Sequence, residues 1–153
     1  MINEEYKILN NGKRITCGII IIDNSKSILA GHPTGKRYDS DCCYDILKGC
    51  CNKGEDDLDC ALRELYEESG IEIKDKENII DLGIKSYNKK KDIHLFLYKV
   101  KNFPKIDTLK CNSFFELNGK MLPEMNGYKI INKDKRNLFY KGLQYIFKTI
   151  EEL

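Results

Sequence analysis

Residues 49–71 read GCCNKGEDDLDCALRELYEESGI, and this stretch contains the clearest structural pattern in the chain. From Asp57 to Ser69, apolar residues recur at helical spacing. Gly70 follows directly, and glycine commonly ends a helix because it adopts positive φ angles without a steric penalty. Residues 52–55 lack this periodicity and include Gly54, which is typical of a loop. We therefore predict a loop followed by a helix over residues 57–69.

Three glutamates gather on one face of this predicted helix. At about 100° per residue, Glu67 and Glu68 lie within roughly 60° of Glu64, beside an apolar face that would pack on a core. Like charges at i and i+4 destabilise a helix by about 0.2–0.5 kcal/mol, and the helix dipole disfavours anions near its C-terminus. A solvated acidic face is the simpler explanation, but a divalent cation among these oxygens would offset both costs. Clustered oxygen ligands without histidine favour Mg²⁺ or Mn²⁺ over zinc.

The segments on either side of the helix have the apolar patterns of β-strands. The predicted strands are residues 14–23, 27–30 and 44–47 before the helix, and 79–87, 93–100 and 128–131 after it. Residues 31–41 indicate a loop, residues 102–123 an irregular segment, and residues 134–153 an amphipathic helix. Strands around one helix, with another helix at the end, predict a mixed β-sheet packed between helices, an α+β or α/β sandwich.

The composition is typical of one soluble globular domain spanning residues 1–153. The chain has 41% hydrophobic and 33% charged residues. No apolar run approaches the roughly 20 residues needed to cross a membrane. The N-terminus, MINEEYKILN, lacks the basic start and apolar core of a signal peptide. We therefore expect a cytoplasmic protein with no membrane partner, and the net charge of +2 excludes a strong overall attraction to nucleic acid.

Seven cysteines are present, which is an odd number in a chain with no export signal. Free thiols are therefore expected rather than a disulfide framework. Two adjacent pairs, at residues 42–43 and 50–51, raise the question of a zinc site. Structural zinc sites usually separate paired ligands by two to four residues, so the adjacent pairs argue against zinc.

The quoted stretch resembles the signature of the Nudix hydrolase family. That signature is glycine, five residues, glutamate, seven residues, and then Arg-Glu-aliphatic-x-Glu-Glu-x-Gly-aliphatic. The matching positions are Gly49, Glu55, Arg63, Glu64, Leu65, Glu67, Glu68, Gly70 and Ile71. The resemblance implies an α/β/α sandwich with a mixed sheet between helices. It also implies an enzyme that uses Mg²⁺ or Mn²⁺ to cleave a phosphoanhydride bond.

The resemblance also implies roles for individual residues. Glu64, Glu67 and Glu68 would bind the metal ions, with the carbonyl of Gly49 as a further ligand. Arg63 would orient these glutamates, through an ion pair with Glu67 or with Glu55, the remaining acidic position of the signature.

The general base that activates the attacking water has more than one candidate. In some family members it belongs to the signature, which favours Glu64 here. In others it comes from a loop before the last strand, where this chain offers Glu124 and, as a weaker candidate, Glu116. Glu124 is equally consistent with a metal ligand or a surface residue.

The residues before the signature bear on the substrate. Residues 44–49, YDILKG, resemble the Trp-Asp-Ile-Pro-Lys-Gly segment of Nudix enzymes that act on dinucleoside polyphosphates, with Tyr44 and Leu47 departing from it. Lys48 would then contact phosphate, and His32 and Arg37 in the upstream loop are weaker candidates. Aromatic candidates for base stacking are Tyr38, Tyr87, Phe115 and Tyr128. The substrate expected is a small nucleotide, either a dinucleoside polyphosphate or a compound such as ADP-ribose.

Two other functions stay open at this stage. An mRNA-decapping enzyme would release m7GDP and would need a basic surface for the RNA body. The residues that could supply such a surface are Lys129, Lys133, Lys135 and Arg136. A non-catalytic module that senses nucleotides is the other alternative, although such modules typically lose signature glutamates. A homodimer is compatible with the sequence but is not indicated by it.

Overall fold

The residues Arg14–Ile22 form the long central strand of the fold, as their run of β-branched side chains predicts. The structure is a computed structural model, and it describes residues 5–37 and 40–153. In these ranges the strands are β1 Arg14–Ile22, β2 Ile28–Pro33, β3 Lys48–Cys50, β4 Ile80–Ser86, β5 Lys91–Lys99, β6 Phe114–Leu117, β7 Lys120–Pro123 and β8 Met125–Ile131. The α-helices are α1 Asp57–Ser69 and α2 Ile146–Glu151, and 3₁₀ turns lie at Lys76–Asn78, Ile106–Thr108, Lys133–Leu138 and Lys141–Leu143. The described residues include no helix that is long and apolar enough to cross a membrane.

The main sheet is mixed and is built around β1. In the described part of the chain its strand order is β4-β5-β1-β2-β8, and the short β3 also pairs with β1. β1 and β5 run parallel, whereas β1 pairs antiparallel with β2 and β3. The β1–β3 register places Gly49 opposite Cys17, so the start of the 49–71 stretch is anchored to the central strand.

Apolar side chains cover both faces of β1 because successive residues of a strand point to opposite sides. Ile19 and Ile21 belong to a buried cluster with Leu65 of α1. Ile20 and Ile22 belong to a second cluster, with Phe147 of α2. The sheet therefore lies between helical layers, which confirms the predicted α/β/α sandwich.

The helix α1 begins and ends where the sequence predicts, because both of its caps are local. The side chain of Asp56 accepts hydrogen bonds from the amides of Leu58 and Asp59 at the N-terminus. Gly70 closes the C-terminus with φ 80°, and its amide donates to the carbonyl of Tyr66 at 2.7 Å. These caps fix the position of the glutamates along the helix.

The predicted helix over residues 134–153 is wrong for most of its length. The segment forms 3₁₀ turns first, and only Ile146–Glu151 is α-helical. The reason lies in Phe139 and Tyr140, whose backbone is not helical, with ψ values of 150° and 129°. The amide of Tyr140 donates to the carbonyl of Tyr44 at 2.7 Å, so hydrogen bonds to another segment replace the helical ones. Apolar spacing alone does not reveal this competing partner.

Three loop and strand assignments also need correction. β2 continues to Pro33 into the predicted loop, because it pairs with β8. The predicted strand at 44–47 consists only of isolated bridges at Tyr44 and Asp45, and the strand begins at Lys48. The predicted irregular segment contains the β6–β7 hairpin, whose turn at Asn118 and Gly119 has φ values of 51° and 79°. An Asn-Gly pair is a strong hairpin signal, so this element was detectable in the sequence.

Candidate active site

A cleft opens where β3 and α1 meet, and four signature residues line it: Gly49, Arg63, Glu64 and Glu68. Its volume is about 420 Å³. The acidic and basic residues among its lining are Asp45, Lys48, Arg63, Glu64, Glu68, Lys91 and Glu124. Gly49 and Ser113 contribute to the wall, and Tyr6 lies at its edge. The structure therefore brings residues from several separate segments together with the carboxylate face predicted from the helical wheel.

Gly49 is required at its position by the close approach of Glu64. A Cβ atom on Gly49 would lie 2.0 Å from Cδ of Glu64 and 2.1 Å from its Oε2, distances at which no side chain fits. The carboxylate of Glu64 therefore lies directly against the backbone of β3. This contact explains in steric terms why the signature begins with glycine.

Glu64 and Glu68 are both buried, with only 7% and 2% of their surfaces exposed. Burial raises the pKa of Glu64 to about 7, and the neighbouring Glu67 and Glu124 add to this effect against the opposing charge of Arg63. Burial also raises the pKa of Glu68 well above its ordinary value, although Lys48 opposes the shift. The Lys48 amide donates to Oε1 of Glu68 at 2.8 Å. Two buried carboxylates this close together create a site of strongly negative potential once they ionise.

Arg63 connects three of the glutamates in the signature. Its Nε and Nη2 donate to the two carboxylate oxygens of Glu55, at 2.8 and 3.0 Å. Its Nη1 donates to Glu64 at 2.8 Å and to Glu67 at 3.1 Å. The bidentate contact fixes the plane of the guanidinium, which in turn orients the carboxylate of Glu64. The ion pairs raise the pKa of Arg63 further above its ordinary value, despite its partial burial.

The remaining acidic candidates differ in their positions. The side chain of Glu67 is 36% exposed, and this residue does not line the cleft. Glu124 does line the cleft, and its carboxylate has no hydrogen bond to any residue that the structure describes. Glu116 is exposed on the β6–β7 hairpin and lies outside the cleft lining. Of the two loop candidates for a base, the structure thus places only Glu124 beside Glu64 and Glu68.

Lys48 is held at the cleft by two residues that the sequence did not single out for this purpose. Its Nζ lies 3.4 Å from Oδ2 of Asp45 and 5.0 Å from the ring centre of Tyr87. The Tyr87 hydroxyl donates to the same carboxylate oxygen at 3.0 Å. Burial would lower the pKa of Lys48, but Asp45, Tyr87 and Glu68 together outweigh burial and raise that pKa well above its usual value. Lys48 is therefore a fixed cation beside the buried glutamates.

The upstream candidates for phosphate binding do not reach the cleft. His32 is fully buried, its Nδ1 lies 2.6 Å from Oδ1 of Asn126, and its ring packs edge-on against Tyr44. It serves the packing between β2 and β8 rather than a substrate contact. Arg37 is exposed and is not part of the cleft lining. Tyr38 lies outside the described residues.

Other aromatic and basic candidates also have different surroundings from those expected. Neither Phe115 nor Tyr128 lines the cleft, and the Tyr128 hydroxyl donates to the backbone carbonyl of Glu68. Lys133, proposed for an RNA surface, forms a 3.0 Å ion pair with Glu151. Lys133 and Arg136 line a separate cavity of about 460 Å³ together with that carboxylate, so acidic charge is mixed into this surface.

Sequence reasoning missed Asp45, Lys91 and Tyr6 as parts of the cleft. Asp45 belongs to the quoted YDILKG segment, three residues before Lys48, so the sequence did contain a signal that the two could pair. Lys91 stood among consecutive lysines that looked like a solvated turn, and it reaches the cleft because β5 starts beside the start of β1. The ring of Tyr6 is stacked under the guanidinium of Arg14 at 5.5 Å, a long-range contact with no local signal.

Comparisons with known proteins agree with this arrangement. The family model for the NUDIX domain matches residues 12–111. An uncharacterized 17.7 kDa protein of Enterobacteria phage T4, from the e-segB intergenic region, is 32% identical over 124 residues, covering 78% of this chain and 82% of the phage protein.

Several solved structures share the fold at low sequence identity. A C. elegans Ap4A hydrolase has a TM-score of 0.62 and 16% identity, over 90% of this chain and 96% of that one. The NUDIX domain of Shewanella oneidensis NrtR, complexed with ADP ribose, has a TM-score of 0.63 and 10% identity, over 92% and 87% of the two chains. A MutT/nudix family protein from Enterococcus faecalis has a TM-score of 0.56 and 18% identity over 85% of this chain, which spans only 46% of that protein.

The family model covers well over half of the chain, and it includes β1, β3 and α1 with all the signature residues. The phage relative independently exceeds 30% identity over most of both chains. This chain belongs to the NUDIX domain family, whose hydrolases act on pyrophosphate bonds.

Proposed function

We propose that this protein is a Mg²⁺- or Mn²⁺-dependent hydrolase that cleaves a phosphoanhydride bond in a nucleoside diphosphate-linked compound. The observation that carries this proposal is the burial of two carboxylates against β3, Glu64 at the backbone of Gly49 and Glu68 at the amide of Lys48. Buried carboxylates are costly unless a cation or hydrogen bonds compensate for their charge. The donor set fits a hard divalent cation because it consists of carboxylate and carbonyl oxygens.

In this proposal Glu64, Glu68 and the carbonyl of Gly49 hold the cation in the cleft, and Glu67, whose side chain lies outside the cleft lining, would have to turn towards it to become a further ligand. When bound, such an ion supplies Lewis-acid activation of phosphate and lowers the pKa of a water molecule. Arg63 orients Glu64 and Glu67 through its hydrogen bonds to both.

We assign proton acceptance to Glu124 rather than Glu64. The carboxylate of Glu64 is already engaged by Arg63, whereas that of Glu124 lines the cleft with no described hydrogen-bond partner. Glu124 would take the proton of the water that attacks phosphorus, as the bond from phosphorus to the leaving oxygen breaks. Water and the substrate are the only reactants in this step: the water oxygen bonds to phosphorus, its proton passes to Glu124, and the leaving oxygen departs with the electrons of the broken bond.

Lys48 would bind the phosphate chain of the substrate. Asp45 and Tyr87 fix its ammonium group at the cleft, so little side-chain entropy is lost when phosphate arrives. Lys91 lines the same cleft and offers a second positive charge. Two cations facing a carboxylate cluster suit a substrate with several phosphates, which favours a dinucleoside polyphosphate or an ADP-ribose-like compound.

The structural relatives are consistent with both substrate types. One is an Ap4A hydrolase, and another holds ADP ribose. The proposal of mRNA decapping has less support, because the predicted basic surface includes Glu151 in an ion pair with Lys133.

The experiment that tests this proposal is a panel of substrates with Mg²⁺, Mn²⁺ or a chelator. The panel contains Ap₄A, ADP-ribose, FAD, NADH, nucleoside triphosphates and capped RNA. We expect cation-dependent turnover that is fastest with Ap₄A or ADP-ribose. Release of m7GDP from capped RNA at a faster rate would assign decapping instead. No turnover on any substrate would support a non-catalytic module.

A further inference from the structure

Three cysteines from separate elements converge behind the carboxylate site. Cys17 lies on β1, Cys51 follows β3 and Cys60 lies in α1. Their Sγ atoms are all within 4.8 Å of one another, and all three residues are buried. The convergence depends on backbone pairing, since the amide of Cys51 donates to the carbonyl of Ile15 at 3.0 Å. The adjacent cysteine pairs at residues 42–43 and 50–51 did not predict this cluster, because Cys51 alone among those four residues belongs to it.

The surroundings of these sulfurs are more polar than those of ordinary buried cysteines, which behave as small apolar side chains. The Cys51 thiol donates to the carbonyl of Glu55 at 3.2 Å and lies 3.7 Å from Oδ1 of Asp57. The Cys60 thiol lies 3.7 Å from the carbonyl of Gly49. Nη2 of Arg63 is 3.8 Å from the Cys60 sulfur. A carboxylate and a cation therefore border the cluster.

The spacing suits a tetrahedral zinc-type ion. Zn–S bonds of about 2.3 Å in tetrahedral geometry place the sulfurs roughly 3.8 Å apart. Sulfurs that already lie within 4.8 Å of one another need to approach by at most about 1 Å. Asp57 is not a fourth ligand in this arrangement, because its Oδ1 accepts from Lys7 at 2.7 Å and its Oδ2 lies 2.7 Å from Nδ1 of His94.

We propose that Cys17, Cys51 and Cys60 form a three-thiolate binding site for a thiophilic divalent cation of the zinc class. Each thiol loses its proton to solvent as the S–H bond is replaced by a sulfur–metal bond, and no atom changes oxidation state.

This site differs chemically from the carboxylate cluster that we assign to Mg²⁺. Thiolates select soft or borderline ions, whereas carboxylate and carbonyl oxygens select hard ones. The two sites share a wall, because the Cys60 thiol faces the same Gly49 whose backbone supports Glu64. A bound ion would join β1, the end of β3 and α1 at a point directly behind the cleft. We therefore expect it to stabilise this junction without replacing Mg²⁺.

The test is a titration of the reduced, metal-stripped protein with Cd²⁺ in excess Mg²⁺, which keeps the carboxylate site occupied. Thiolate coordination to Cd²⁺ gives an ultraviolet charge-transfer band. We expect the band to saturate at one Cd²⁺ per chain with the intensity of three thiolates. Zn²⁺ alone should raise the Tm, and Cd²⁺ should displace Zn²⁺ from the zinc-loaded protein because thiolates favour the softer ion.

Cysteine variants distinguish Cd²⁺ binding at the three clustered thiols from Cd²⁺ binding at the other thiols of the chain. The double variant Cys42→Ser/Cys50→Ser removes two partly exposed thiols and should retain the full band. Cys60→Ala should lower the band by a third. It should also weaken Cd²⁺ binding by more than about 100-fold, because loss of a residue that merely hydrogen-bonds to a metal ligand already costs about 10–100-fold in affinity. Circular dichroism without metal checks that this variant folds.

The wild type and the double variant decide the question even if Cys60→Ala is unfolded. A band that disappears in the double variant would place the ion on the exposed thiols and overturn the proposal. A wild-type protein that shows no saturable band at one ion per chain would overturn it as well.

Discussion

Glu64 and Gly49 are in such close contact that a single methyl group on Gly49 would overlap the Glu64 carboxylate. The clash would place Cβ 2.0 Å from Cδ. The contact joins the strand that starts the signature to the helix that carries its glutamates. It makes the position of Glu64 sensitive to a substitution that changes neither charge nor hydrogen bonding.

Gly49→Ala should therefore lower kcat by about 10²-fold or more, because displacement of a catalytic group by about 1 Å is enough for such a loss. The matched control is Gly12→Ala, where φ is 81° and no atom lies within 4 Å of the added Cβ. That control should lose roughly 1–2 kcal/mol of stability through backbone strain and keep its activity. Measured kcat and Tm for both variants check the prediction. Equal activity of the two variants would contradict the role of the contact.

Glu68→Gln should lower kcat by several orders of magnitude while leaving the metal-free protein at least as stable as the wild type. The physical reason is that burial already favours the uncharged form of this side chain, so a neutral amide fits the metal-free site. A cation, by contrast, needs the carboxylate. Isothermal titration with Mn²⁺ and steady-state kinetics measure the two effects. The exposed Glu72→Gln serves as the control, and near-wild-type turnover in Glu68→Gln would refute our assignment of the cation site.

The parts of the fold that the sequence predicted have local causes. The bounds of α1 follow from Asp56 and Gly70, which cap the helix within its own segment. The prediction for the C-terminal segment was wrong because the backbone of Tyr140 bonds to Tyr44, a residue far away in the chain. Periodicity reports which face is apolar, but it does not report which backbone groups find partners elsewhere.

The same distinction applies to the site. The resemblance to the family signature implied that Gly49 and Glu64 share one metal site, and the glycine and the helix do belong to one short segment. The contact of Asp45 with Tyr87 spans 42 residues and depends on the sheet, so no local pattern indicates it. His32 illustrates the opposite error, since a histidine in a predicted loop proved to be a fully buried part of β2.

Lys48→Gln should raise KM by about 10- to 100-fold with a smaller effect on kcat, because a charge-assisted hydrogen bond to phosphate contributes roughly 1.5–3 kcal/mol. The substitution also leaves the buried Asp45 without its cation, so Tm should fall. The double variant Asp45→Asn/Lys48→Gln should regain stability but not KM. Lys89→Gln, in the exposed β4–β5 turn, is the control for general charge effects. Recovery of KM in the double variant would show that Lys48 acts only on stability.

Glu124→Gln should lower kcat by about 10²–10⁴-fold, the usual contribution of a general base, with little change in Mn²⁺ affinity. Glu116→Gln is the natural comparison, because Glu116 is exposed on the hairpin and should be dispensable. Steady-state kinetics and isothermal titration with Mn²⁺ measure the two effects. If Glu124→Gln keeps the wild-type kcat, the base is Glu64 instead.

The stability of the metal-free protein should fall as the pH rises from about 4.5 to about 7. The pKa of Glu64 is about 7 in the folded protein, compared with an ordinary value of 4.5. Between these values the unfolded chain has lost a proton that the folded protein still holds, so raising the pH favours unfolding. The shift of Glu68 has the same direction and strengthens the effect.

Saturating Mg²⁺ should reverse this trend, because the cation binds the ionised carboxylates and replaces the proton as the compensating charge. The rise in Tm on adding Mg²⁺ should therefore be larger at pH 8 than at pH 5.5. Glu64→Gln removes the titrating group, so its metal-free Tm should depend less on pH over this range. Thermal denaturation of both proteins, with Mg²⁺ and with chelator, measures each part. A rise in Tm on adding Mg²⁺ that is the same at both pH values would mean that the ion binds away from Glu64 and Glu68.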